Sequence, residues 1–141
     1  MCPYLLIASD VPLANVAWDP EDPGFNVTPL PDTERQYYRH LTKRYVYRVG
    51  AWTGCACGFG YGTLPIDSDE RQQEEDDARA SVDALRRYIT QAIEASAIEV
   101  FTCWAGEQDS ELDRVLHIGL DYFGGETFDL TGNELYYISS G

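Results

Sequence analysis

Two periodicities divide this chain between helix and strand. Past Ala78 the apolar residues Val82, Leu85, Ile89, Ala92 and Ile93 recur at spacings that gather them on one stripe of an amphipathic helix. The helix is predicted over about residues 68 to 96. Asp67 and Glu70 have capping-box spacing at its start, and the acids of the first turns meet the positive end of the helix dipole.

Elsewhere the period is two, or the run is apolar throughout. Pro3 to Ala8 is a short apolar run, as expected of a buried first strand. Arg44 to Val49 alternates, with Tyr45, Tyr47 and Val49 on one face. Gly50 to Gly54 then reads as a turn, and Cys55 to Tyr61 as the returning strand of a hairpin. Ile98 to Trp104 alternates again and is predicted to be a central strand after the helix. His117 to Phe123 and Glu134 to Ser139 are two further strands, parted by turn signals at Gly124-Gly125 and Thr131-Gly132-Asn133. Residues 10 to 34 hold Pro12, Pro20, Pro23, Pro29 and Pro31 and read as an extended surface segment, with a brief edge strand at Phe25 and Val27. The sum is one α+β domain spanning residues 1 to 141. A single long helix packs on a mostly antiparallel sheet of five or six strands.

Charge narrows the classes of partner. There are 24 Asp and Glu against 10 Lys and Arg, a formal net charge of −14. Such a field opposes general nucleic-acid binding and association with acidic membrane surfaces; it leaves basic proteins, cations and cationic ligands open as partners, the competing reading being charge that serves solubility alone. No stretch approaches the length of a membrane span, and the start Met-Cys-Pro-Tyr lacks the basic region of a signal peptide. A cytoplasmic protein with reduced cysteines is therefore expected.

The candidate chemistry concentrates in residues 54 to 62, Gly-Cys-Ala-Cys-Gly-Phe-Gly-Tyr-Gly. If the backbone is extended, Cys55, Cys57, Phe59 and Tyr61 share one face and the glycines with Ala56 the other. A row of glycine suggests close approach by another group, either the helix or a flat ring such as Trp52 or Trp104. Cys55 and Cys57 are weak candidates for a metal, with zinc the alternative, needing two further ligands from Cys2, Cys103, His40 or His117. They are also candidate nucleophiles, with His40 or His117 as base. Buried, inert thiols are the competing reading.

Two charged stretches frame this segment. Residues 35 to 48 carry Arg35, Arg39, Lys43, Arg44 and Arg48 with no acid, interleaved with Tyr37, Tyr38, Tyr45 and Tyr47. Arg39, Arg44, Tyr45 and Tyr47 are candidate anion-binding residues. The other reading turns these cations toward the molecule's own carboxylates, the acidic run 67 to 77 being the obvious counterpart. That run holds seven acids, Asp76 and Asp77 among them, and is itself either a solvated helix start or bait for a basic partner.

The order Gly54-Cys-Ala-Cys-Gly-Phe59, an acidic helix, then a strand ending Cys103-Trp104-Ala-Gly-Glu107 resembles small bacterial proteins to which no activity is assigned. The resemblance spans about residues 45 to 107 and implies only that this segment matters. Two functions stay open: a non-catalytic binding or regulatory protein working through its acidic surface, or a thiol-dependent site at Cys55 and Cys57.

Overall fold

The computed structural model describes residues 3–19, 21, 25–51, 53, 56, 69–104, 106–118 and 133–139. Among these residues six strands form one sheet: β1 (Pro3–Ser9), β2 (Phe25–Pro29), β3 (Tyr45–Ala51), β4 (Ile98–Trp104), β5 (Arg114–Ile118) and β6 (Glu134–Ile138). Their order across the sheet is β2-β3-β1-β4-β6-β5. All neighbouring pairs are antiparallel except β5 and β6, which run parallel. One long helix, α1 (Asp69–Ala95), packs on one face, so the fold is α+β.

The periodicity of α1 translates directly into burial. Val82, Leu85, Ile89, Ala92 and Ile93 are all buried against Leu5, Ile7, Tyr47, Val49, Ile98, Val100, Tyr136 and Ile138. The polar side of α1 is supported by its own side chains: Gln72 Nε2 donates to Asp76 at 3.0 Å and Gln73 Nε2 to Asp77 at 3.1 Å. These i,i+4 pairs contribute a few tenths of a kcal/mol each (~0.2–0.5). Asp67 lies outside the described residues, and with it the predicted capping box.

The sheet is covered on both faces, which the one-helix reading did not anticipate. Leu5, Leu6, Ile7 and Ala8 are all fully buried, so β1 sends apolar side chains into two cores. A continuous apolar run suits a strand buried on both faces. The second core contains Leu6, Ala8, Val46, Phe101, Cys103 and Leu135, capped by Leu30, Tyr38 and Leu41. Its cover is irregular: a 3-10 turn over Asp32–Tyr37 and the loop that follows. Arg35 shapes that loop from within, donating to the carbonyls of Tyr38 at 3.0 Å, Leu41 at 2.8 Å and Lys43 at 3.1 Å.

Glu99 fastens the cover to the sheet. Its alternation in β4 puts it on the second face, where it is fully buried. One carboxylate oxygen accepts the backbone N–H of Thr42 at 2.9 Å and of Lys43 at 3.0 Å, and the other accepts the Thr42 hydroxyl at 2.9 Å. Three donors satisfy a group that would otherwise be costly to bury.

Three expectations need correction. The predicted hairpin partner of β3 finds no place along Tyr45–Val49, because β1 occupies one edge and β2 lies on the other from Tyr47 on. The strand placed at residues 117 to 123 begins earlier, at Arg114, and residues beyond Ile118 fall outside those described until Asn133. The segment 10 to 34 is not only surface: Val16 bridges Val27 across the outer edge of β2, with N–H···O distances of 2.9 and 2.8 Å. Leu13 N donates to the Tyr47 hydroxyl at 2.7 Å, holding the same strap across the sheet.

Substitutions at two positions test these two cores. Leu85→Ala should lower unfolding free energy by about 2–5 kcal/mol in urea titrations, as for other buried leucines. Glu99→Ala strands three donors and should cost ~2–4 kcal/mol, whereas Glu99→Gln keeps one acceptor oxygen and should cost clearly less.

Candidate functional site

The described candidate residues fall in four places. Arg39 and His40 sit on the cover of the second face, His117 on the outer strand β5, and Asp76 and Asp77 on α1. Arg44, Tyr45 and Tyr47 stand together at the start of β3. Cys55 and Cys57 lie outside the described residues, as does most of the 54 to 62 segment. Ala56 is described, and it is buried in the core beneath α1. Its backbone there is a 3-10 turn and not extended, so the two-faced strand expected over residues 54 to 62 does not hold at Ala56, and the rest of that segment lies outside the described residues.

The histidines are tied to other groups. His40 Nε2 lies 2.6 Å from the Ser110 carbonyl oxygen, and its ring packs 5.7 Å from that of Phe101. His117 stacks on Tyr137, with centroids 4.9 Å apart and planes 18° from parallel. Register places Glu99, Tyr137 and His117 in one row across β4, β6 and β5. Among the described residues no three His, Cys, Asp or Glu side chains are gathered as a metal site would need.

Cys103 is the one cysteine within the described residues, and it is a free, buried thiol. Burial pushes its pKa up to about 12; the nearby Glu107 adds to the rise and Arg48 opposes it. A thiol so held is protonated at neutral pH and is no nucleophile. Around it lie Tyr4, opposite in β1, and Tyr38, whose own pKa is raised by burial against the lowering effect of Arg48. Arg48 runs through this group: it lies over the Tyr4 ring at 5.1 Å and contacts Glu34 at 3.0 Å.

Most cations of the basic stretch meet groups of their own chain, but not the acidic run. Arg39 pairs with Asp109, and Lys43 with Asp10 at 2.9 Å. Arg48 takes Glu34, and the Arg35 guanidinium is spent on backbone carbonyls. The described partners are thus Asp10, Glu34 and Asp109, and the 67 to 77 acids are not among them. The reason is topological: these cations belong to β3 and to the cover opposite α1. Arg44 differs. It is exposed, lies over the Tyr45 ring at 5.2 Å, and has no carboxylate partner among the described residues. With Tyr45, Tyr47, Asp32 and Pro29 it borders a cleft of about 180 Å³. Tyr47 is otherwise structural, buried with its hydroxyl engaged by Leu13.

Glu99 and Glu134 escaped the sequence reading as buried acids. Glu134 receives Arg114 Nε at 2.6 Å and Nη2 at 2.5 Å. For Glu134 the register supplies a signal, because it faces Arg114 directly across the β5–β6 pair. For Glu99 no local signal exists, since its donors lie 56 and 57 residues away.

Against family models, curated proteins and solved structures the chain matches none, so no function carries over from a relative.

The buried thiol gives a pH prediction. A folded-state pKa above the unfolded value stabilises fully below the unfolded pKa, and that stability is lost as pH rises toward the folded one. Cys103 should therefore contribute a loss of stability between about pH 9 and about 12. Cys103→Ala should flatten the alkaline slope by up to ~1.4 kcal/mol per pH unit in denaturant titrations across that window. Peptide mapping after alkylation at pH 8 should find Cys103 unmodified in the folded protein and modified in urea.

Proposed function

We propose that this domain is a non-catalytic binding or regulatory protein that meets a basic protein partner through its acidic surface. The observation that carries the reading is the disposition of charge. Five described cations, Arg39, Lys43, Arg48, Arg86 and Arg114, are committed to carboxylates of the same chain. With 24 acids against 10 basic residues, the surplus of negative charge must go uncompensated within the chain.

Part of that surplus stands on α1. Glu74, Glu75, Asp76 and Asp77 are consecutive, and Asp76 is exposed. Asp76 and Asp77 are braced by the neutral amides of Gln72 and Gln73, so their orientation is fixed without their charge being cancelled. Arg79 stands at the outer limit of an ion pair with Asp76, 4.0 Å. Rigid carboxylates on a packed helix lose little entropy on meeting a cationic surface, and a long-range field speeds the encounter. No helix among the described residues is long and apolar enough to cross a membrane.

Capture on the immobilised domain at low ionic strength tests this. Basic proteins should be retained, released by about 0.3–0.5 M salt, and held clearly more weakly by the double variant Asp76→Asn, Asp77→Asn. Retention of acidic or neutral proteins, or retention indifferent to salt and to the double variant, would exclude the reading.

A further inference from the structure

The strap that crosses the edge of β2 and the outer side of α1 enclose an open cleft of about 480 Å³. Its walls are Val16 and Phe25 on one side and Ala84 and Tyr88 on the other. The Phe25 and Tyr88 rings are 5.7 Å apart and tilted by 59°. The geometry points to a binding site for a small molecule that joins an apolar ring system to one anionic group. The rings of Phe25 and Tyr88 take the apolar part and Arg87 takes the anion. This site is independent of the basic partner: it concerns the flank of α1 facing the strap and a ligand of opposite charge.

The polar groups of the cleft select that chemistry by elimination. The Tyr88 hydroxyl donates to the Ala14 carbonyl at 2.6 Å, so its one proton is taken and its oxygen can only accept, which offers an anion nothing. Burial also pushes its pKa up to about 12, with Tyr47 adding to the rise, so it adds no charge at neutral pH. The Thr90 hydroxyl is spent on the Arg86 carbonyl at 2.8 Å. What remains at the rim is the guanidinium of Arg87 and the amide of Gln91, both on exposed residues. Arg86, one position earlier, is paired with Asp83 at 3.1 Å. Arg87 has no such partner among the described residues. An uncommitted guanidinium over an apolar wall is a fork for carboxylate or sulfonate oxygens, and the cleft volume lies within the ~300–1,000 Å³ of small-molecule sites.

Net charge works against any anion at long range, while Arg87 attracts it at contact. Salt weakens both effects, so ionic strength alone cannot decide the matter. A matched pair of probes can: 8-anilinonaphthalene-1-sulfonate, and the uncharged N-phenyl-1-naphthylamine. The sulfonate should bind saturably, with Kd on the order of 10–100 µM, and perturb backbone amides between residues 84 and 91. Arg87→Gln, at an exposed position, should weaken the sulfonate about fivefold and leave the neutral probe within about twofold. Ala84→Phe should fill the cleft and abolish both. Absence of saturable binding, equal loss of both probes with Arg87→Gln, or sulfonate binding that survives a folded Ala84→Phe would overturn the assignment. Failure here leaves capture of basic proteins untouched, because Asp76 and Asp77 are unchanged.

Discussion

The carboxylate of Glu99 is the interaction on which the second half of this fold rests. It sits in the interior with both oxygens occupied by donors from Thr42 and Lys43. Those two residues end the irregular cover of the second core, so the contact decides where that cover lies. Arg35 works on the same segment from the other side, gathering the carbonyls of Tyr38, Leu41 and Lys43. Together they replace the regular hydrogen bonding that a second helix would have provided. Tyr38 can then press edge-on against Phe101, with planes 82° apart, and complete the core.

A sheet covered on both faces also explains how the cations are spent. The basic stretch begins in the 3-10 turn, passes through the cover and ends on β3, within reach of Asp10, Glu34 and Asp109. Side chains that could have formed an external basic patch thus stitch the cover to the rest of the chain. What is left outward is predominantly negative. The two described exceptions, Arg44 and Arg87, stand apart, each beside an aromatic ring: Tyr45 for the first, the Tyr88 cleft for the second.

Long periodic elements were legible because their signal is local. The stripe from Val82 to Ile93 and the alternation of Ile98 to Trp104 each follow from geometry repeated within one element. The alternation even placed Glu99 opposite Ile98 and Val100, on the correct face. It could not say that this face was buried, since burial there depends on Leu30, Tyr38 and Leu41 folding over from a distant stretch. The hairpin after β3 failed for a related reason. A turn followed by an alternating run satisfies every local rule, yet both edges of β3 are taken by strands from the start of the chain.

The chain by itself determined the class of fold, the helix and its buried stripe, the two-faced strands, and an excess of acid that no internal pairing can remove. These are properties of composition and of short-range periodicity. Only the tertiary structure decided which carboxylates the cations meet, that Cys103 is a sealed thiol, and that an uncommitted Arg87 overlooks a ring-lined cleft. Each of those depends on contacts between residues remote in sequence, and neither period nor composition carries information about such partners.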